Sequence, residues 1–60
     1  MNPAGHAIEF EQESDGRWVA EIPELPGVMA YGWTREEARA KVETLANRVL
    51  AERKDRQQTQ

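Results

Sequence analysis

His6, the pair Glu9 and Glu11, and the glycines Gly16, Gly27 and Gly32 are the positions in this 60-residue chain whose residue types could do chemistry. A lone imidazole could shuttle a proton. Two carboxylates two residues apart lie on one face of a strand, where they could act as acid and base or hold a cation. Glycines in series could cradle a phosphate. None of these patterns is completed. His6 stands in a short flexible leader with no second imidazole in the chain. The chain has no cysteine, which removes a disulfide framework and a thiolate zinc site. Each glycine sits at a turn or a strand end rather than in a phosphate loop. Glu9 and Glu11 read best as the wet face of a strand, where acids also discourage edge-to-edge aggregation. The expectation is a chain with no catalytic residues, no cofactor and no metal, and therefore not an enzyme.

The elements that would position these residues follow from periodicity. From Ala7 to Gln12, Ile8 and Phe10 alternate with Glu9 and Glu11, the period of a strand with one buried face. From Arg17 to Ile22 the pattern repeats, with Trp18, Ala20 and Ile22 on one side. A two-residue turn would set Phe10 against Glu21 and mix the faces. A three-residue turn, Ser14-Asp15-Gly16, instead pairs Phe10 with Ala20, Ile8 with Ile22 and Gln12 with Trp18, with Gly16 in the left-handed conformation and the opposite charges of Glu13 and Arg17 closing the hairpin. The elbow Pro23-Glu24-Leu25-Pro26-Gly27 then turns the chain, because its prolines lack the donors that a central strand needs. Val28 to Gly32 forms a short third strand with Val28 and Ala30 on the buried face.

Thr34 followed by Glu37 is a capping box, and Glu36 and Glu37 suit the positive end of a helix dipole. Ala38, Val42, Leu45, Ala46, Val49 and Leu50 recur at spacings of three and four, opposite Arg39, Glu43, Asn47 and Arg48. The expected fold is α+β: a three-stranded antiparallel sheet in the order β-β-β-α, with one helix on one face. Residues 1–6 read as a flexible leader, 7–52 as the domain, and 53–60 as a polar tail in which the helix dissolves.

Val19, Met29 and Tyr31 fall on the sheet face away from the helix. With Trp33 they form an expected apolar patch of the kind that marks interfaces. Trp33 has a second reading, a staple folded back on the first helical turn. So small a domain buries little of its surface, which predicts a homo-oligomer, most simply a dimer. Glu9, Glu11, Val19, Met29, Tyr31 and Trp33 are the candidate partner or oligomer contacts.

The net charge of −3 is unevenly spread. Residues 1–33 carry six acids against Arg17 alone, −5, whereas residues 34–60 carry seven basic and five acidic side chains, +2. Nucleic-acid binding needs clustered positive charge, and the one basic cluster, Arg53-Lys54-Arg56, lies in the expected tail, so nucleic acid is not an expected partner. With no signal-peptide pattern and no apolar run long enough for a membrane span, the expected location is cytoplasmic.

Three segments in order carry a resemblance: Ile8-Glu9-Phe10-Glu11; Asp15-Gly16-Arg17-Trp18-Val19-Ala20-Glu21-Ile22-Pro23-Glu24-Leu25-Pro26-Gly27-Val28; and Gly32-Trp33-Thr34-Arg35-Glu36-Glu37-Ala38. Together they resemble the HicB antitoxin family of type II toxin–antitoxin systems. The usual pattern there is an aspartate-glycine hairpin, a strand ending in Pro-x-Leu-Pro-Gly, and Gly-x-Thr-x-Glu-Glu-Ala opening a helix. The resemblance implies a partial ribonuclease-H-like fold without catalytic acids, and a partner: a HicA-like mRNA-cleaving toxin that the antitoxin covers. Many members add a DNA-binding segment and a fourth strand beside the first. Neither is expected here. Trp33 is also bulkier than the small polar or acidic residue of the family pattern. The other expectations are an orphan homo-oligomeric HicB-like module and a DNA-binding repressor.

Overall fold

The first two strands are joined by a turn whose backbone is closed by two hydrogen bonds. The N–H of Glu13 donates to the carbonyl of Arg17 at 2.7 Å, and that of Gly16 to the carbonyl of Glu13 at 3.0 Å. Gly16 has φ +95°, the left-handed value that a three-residue hairpin loop requires. The computed structural model describes residues 6–58. In it β1 (Glu9–Gln12) pairs antiparallel with β2 (Trp18–Glu21), placing Phe10 opposite Ala20 and Gln12 opposite Trp18, the register that the hydrophobic pattern demands. The opposite charges of Glu13 and Arg17 do not pair. Arg17 instead turns to Asp15 inside the loop, its Nε 2.8 Å from Oδ2 while its backbone N–H donates to Oδ1 at 3.0 Å. A partner two residues away, already fixed by the turn, costs less side-chain entropy than one across the strands.

After β2 the elbow folds into two linked turns. The N–H of Leu25 donates to the carbonyl of Ile22 at 2.9 Å, and that of Val28 to the carbonyl of Leu25 at 3.0 Å. Pro23 and Pro26, which have no N–H to satisfy, remain exposed. Leu25 points inward and is 2% exposed. Gly27 reverses the chain at φ +85° into β3 (Met29–Gly32), which pairs antiparallel with β2 to give the sheet order β1-β2-β3.

The helix α1 (Arg35–Gln58) begins at the Thr34 cap, where the N–H of Glu37 donates to Thr34 Oγ1 at 3.0 Å. The carboxylate of Glu37 reaches back one residue further than a capping box requires, accepting from the N–H of Trp33 at 2.6 Å. The expectation that the helix dissolves at Arg53 is corrected, since it runs to Gln58. From Glu52 to Gln58 the chain has neither glycine nor proline, and its Arg, Lys and Gln residues hold helix well. Of the expected leader and tail, residues 1–5 and 59–60 lie outside the described residues. A helix of 24 residues, about 36 Å long at 1.5 Å per residue, overshoots four-residue strands, so the molecule measures 45 Å along one axis against 19 and 16 Å.

The core lies between the helix and one sheet face. Ala20, Ile22, Leu25, Val28, Ala38, Val42 and Ala46 are buried, with Ile8, Phe10, Trp18, Ala30, Leu45, Val49 and Leu50 packed around them. The fully buried Ala20, Ala38 and Ala46 let the helix approach the sheet closely. It packs on β3 and β2. On β1, the ring of Phe10 is covered by the Arg35 guanidinium 4.4 Å from its centroid, a cation–π contact.

Candidate interaction surface

The sheet face opposite the helix is ordered by register into rows. Glu9 lies opposite Glu21, and Glu21 opposite Met29. Glu11 lies opposite Val19, and Val19 opposite Tyr31. Five of the six candidate residues therefore share one face, with carboxylates over β1 and apolar side chains over β3. Met29 and Tyr31 are exposed, at 42% and 40%.

Val19 does not join them as an exposed residue. It is 7% exposed, because it lies on the central strand between Glu11 and Tyr31 and forms the floor of the face. Trp33 lies just beyond the end of β3 and is 66% exposed, so its indole does not staple the first helical turn. The tie at that point is the backbone bond from Trp33 to Glu37.

Two residues on this face were not singled out from the sequence. Arg17 places its guanidinium 4.8 Å from the centroid of the Tyr31 ring while held by Asp15, so one end of the apolar row is capped by a fixed cation. Glu21 completes the acidic row, and the like charges of Glu9 and Glu21 stand directly opposite each other, an arrangement that costs stability unless something else is gained. The register that pairs Phe10 with Ala20 would have placed Glu21 there. Glu9, Glu11, Glu21, Val19 and Phe10 line an open hollow of about 260 Å³.

The two edges of the sheet differ. The N–H of Glu13 points across to the carbonyl of Arg17, and the period of two then turns the backbone groups of Glu9 and Glu11 toward β2 and those of Phe10 and Gln12 outward. On the other side Ile22 donates to Val28 at 3.1 Å, which by the same alternation leaves the N–H and C=O of Met29 and Tyr31 facing outward from β3. No further strand pairs with either edge among the described residues.

His6 Nδ1 lies 2.8 Å from Glu24 Oε1, tying the start of the described chain to the elbow. Among the described residues no group of three or more His, Cys, Asp or Glu side chains is placed to hold a metal ion, and no helix is long and apolar enough to cross a membrane. Two carboxylates are held below their ordinary range: Asp15 by the backbone N–H of Arg17 and its guanidinium, and Glu37 by the backbone N–H of Trp33 and by Lys41. Both serve local structure. The chain matches no protein-family model, no curated protein and no solved structure.

Proposed function

We propose that this chain is a HicB-like antitoxin, a non-catalytic binding protein that acts in the cytoplasm by covering the active surface of a HicA-like mRNA-cleaving toxin. The observation that carries this reading is the helix-free sheet face, on which Glu9, Glu11 and Glu21 gather beside exposed Met29 and Tyr31. An RNA-cleaving partner needs a basic surface for its substrate. An acidic face complements that surface, speeds the encounter and competes with RNA for it. The ordered motifs from the hairpin to the helix cap give the reading its family.

The test is to purify the chain with a HicA-like toxin encoded beside it and to follow RNA cleavage. Stoichiometric inhibition that weakens with added salt and with Glu9→Lys or Glu11→Lys supports the reading; a chain that neither binds nor inhibits such a protein ends it. A second reading, an orphan homo-oligomeric HicB-like module, is favoured by the exposed apolar residues Met29, Tyr31 and Trp33. It predicts a stable oligomer with no toxin gene beside it. A DNA-binding repressor is the weakest reading, since the acidic face repels phosphate; a gel shift at moderate salt tests it.

A further inference from the structure

The two open edges of the sheet carry opposite instructions for a second copy of this chain. From that contrast we infer that the protein self-associates through β3, pairing antiparallel with β3 of a second copy about a two-fold axis at Ala30, and not through β1. This goes beyond the toxin-binding reading and holds whether or not a toxin partner exists.

Charge excludes β1. An antiparallel β1–β1 pairing keeps each face of the sheet on its own side only in registers that set Glu9 or Glu11 against its own copy or against another acid of the same face, Glu9 against Glu11 or Glu11 against Glu13. Every such register places carboxylates opposite carboxylates, and like charges directly opposite are destabilising. An acidic edge resists its own copy. β3, Met29-Ala30-Tyr31-Gly32, carries no charge at all.

Backbone geometry then selects one register. The outward-facing groups of β3 belong to Met29 and Tyr31, so these residues must exchange the hydrogen bonds. Pairing Tyr31 with its own copy would call on the N–H of Trp33, which is already held by Glu37 at 2.6 Å. Pairing Met29 with its own copy would draw in Gly27, whose φ of +85° is outside strand conformation. What remains sets Met29 of one protomer against Tyr31 of the partner subunit, with the two Ala30 residues facing each other at the axis. The apolar rows of the helix-free faces then join into one, with the acids at its two outer ends. Trp33, 66% exposed, falls level with Gly27 of the partner subunit, where nothing within the protomer stands within 4 Å of the place a side chain would begin. The exposed large apolar residues Met29, Tyr31 and Trp33 are thereby all assigned to one contact.

The full chain has no cysteine, so single-cysteine variants report the axis directly. At a non-hydrogen-bonded antiparallel site the two Cα atoms stand about 4.5 Å apart, within disulfide range. Ala30→Cys is expected to give a covalent dimer under mild oxidation, whereas Glu11→Cys, at the axis of a β1 pairing, stays monomeric on a denaturing gel. Sedimentation of the unmodified protein at micromolar concentration is expected to show a dimer, lost in Tyr31→Pro, which removes an outward N–H without touching the β2 ladder, and retained in Gln12→Pro on the opposite edge. A folded monomer at that concentration overturns the inference. So does cross-linking through Glu11→Cys in place of Ala30→Cys, or a β3 edge that is covered only when a foreign protein binds. None of these measurements involves a toxin, so failure here is separable from failure of the antitoxin reading.

Discussion

Gly32 lies so close to Ala38 that a side chain at position 32 would begin 2.6 Å from the Ala38 amide nitrogen and 2.9 Å from Cβ of Glu37. The end of β3 and the first turn of α1 are in direct backbone contact there, and the first helical bond, from Ala38 to the Thr34 carbonyl at 3.1 Å, spans the same junction. The sheet and the helix are joined at a point where only glycine fits.

Gly32→Ala is therefore expected to destabilise the fold by about 1–3 kcal/mol, the range for overpacking a closed site. The obstructing atom belongs to the backbone and cannot swing away. Urea unfolding followed by tryptophan fluorescence measures the effect, and a stability equal to the unmodified protein's would show that the junction opens without cost.

Leu25 is the plug of the elbow, buried between Ile22 and Val28 by the two linked turns. Leu25→Ala should cost about 2–5 kcal/mol, a large share of the stability of so small a domain. Circular dichroism should show a population largely unfolded at room temperature. Leu25→Met, which nearly conserves volume, should retain the fold.

At the helix start, Thr34→Ala removes the acceptor for the Glu37 N–H and should cost about 1 kcal/mol. Thr34→Ser keeps the hydroxyl and should cost much less. Differential scanning calorimetry of the two variants separates the cap from the side-chain methyl, and equal losses would argue against the hydrogen bond as the source.

Acid should weaken the fold through Asp15 and Glu37. Both carboxyls titrate lower in the folded chain than their ordinary values of 3.8 and 4.5, so the unfolded chain takes up protons first as pH falls. Their contribution is complete above those values and disappears as pH drops through the folded ones. The urea midpoint should decline from about pH 5 downward, and the decline should be shallower in the double variant Asp15→Asn, Glu37→Gln.

The local features were legible in the residues. Alternation of Ile8 and Phe10 with Glu9 and Glu11, the faces that only a three-residue turn keeps apart, and Thr34 with Glu37 each encode a backbone preference satisfied within a few residues. From these came three strands, the pairing of Phe10 with Ala20 and Gln12 with Trp18, the helix start and the α+β class, which the structure bears out. The first ladder stops at Glu9 and Glu21 and does not reach the expected pair of Ile8 and Ile22. The helix end was not legible, because the change from apolar to polar residues after Ala51 marks the end of the sheet beneath, not a break in helical propensity.

What tertiary structure decided is everything that depends on neighbours distant in sequence. Val19 has the spacing of an exposed residue on the helix-free face, yet the two strands beside it remove it from water. Leu25 looks like part of a solvated turn between prolines, yet the elbow drives it into the core. Gly32 looks like a strand end, yet a helix backbone rests against it. Arg17 could have answered Glu13 across the hairpin, and the loop geometry gave it to Asp15 and set it over Tyr31. The sequence by itself determined the elements and the faces they present, since period and capping are local. Burial and contact depend on which surfaces meet, and only the folded chain settles them.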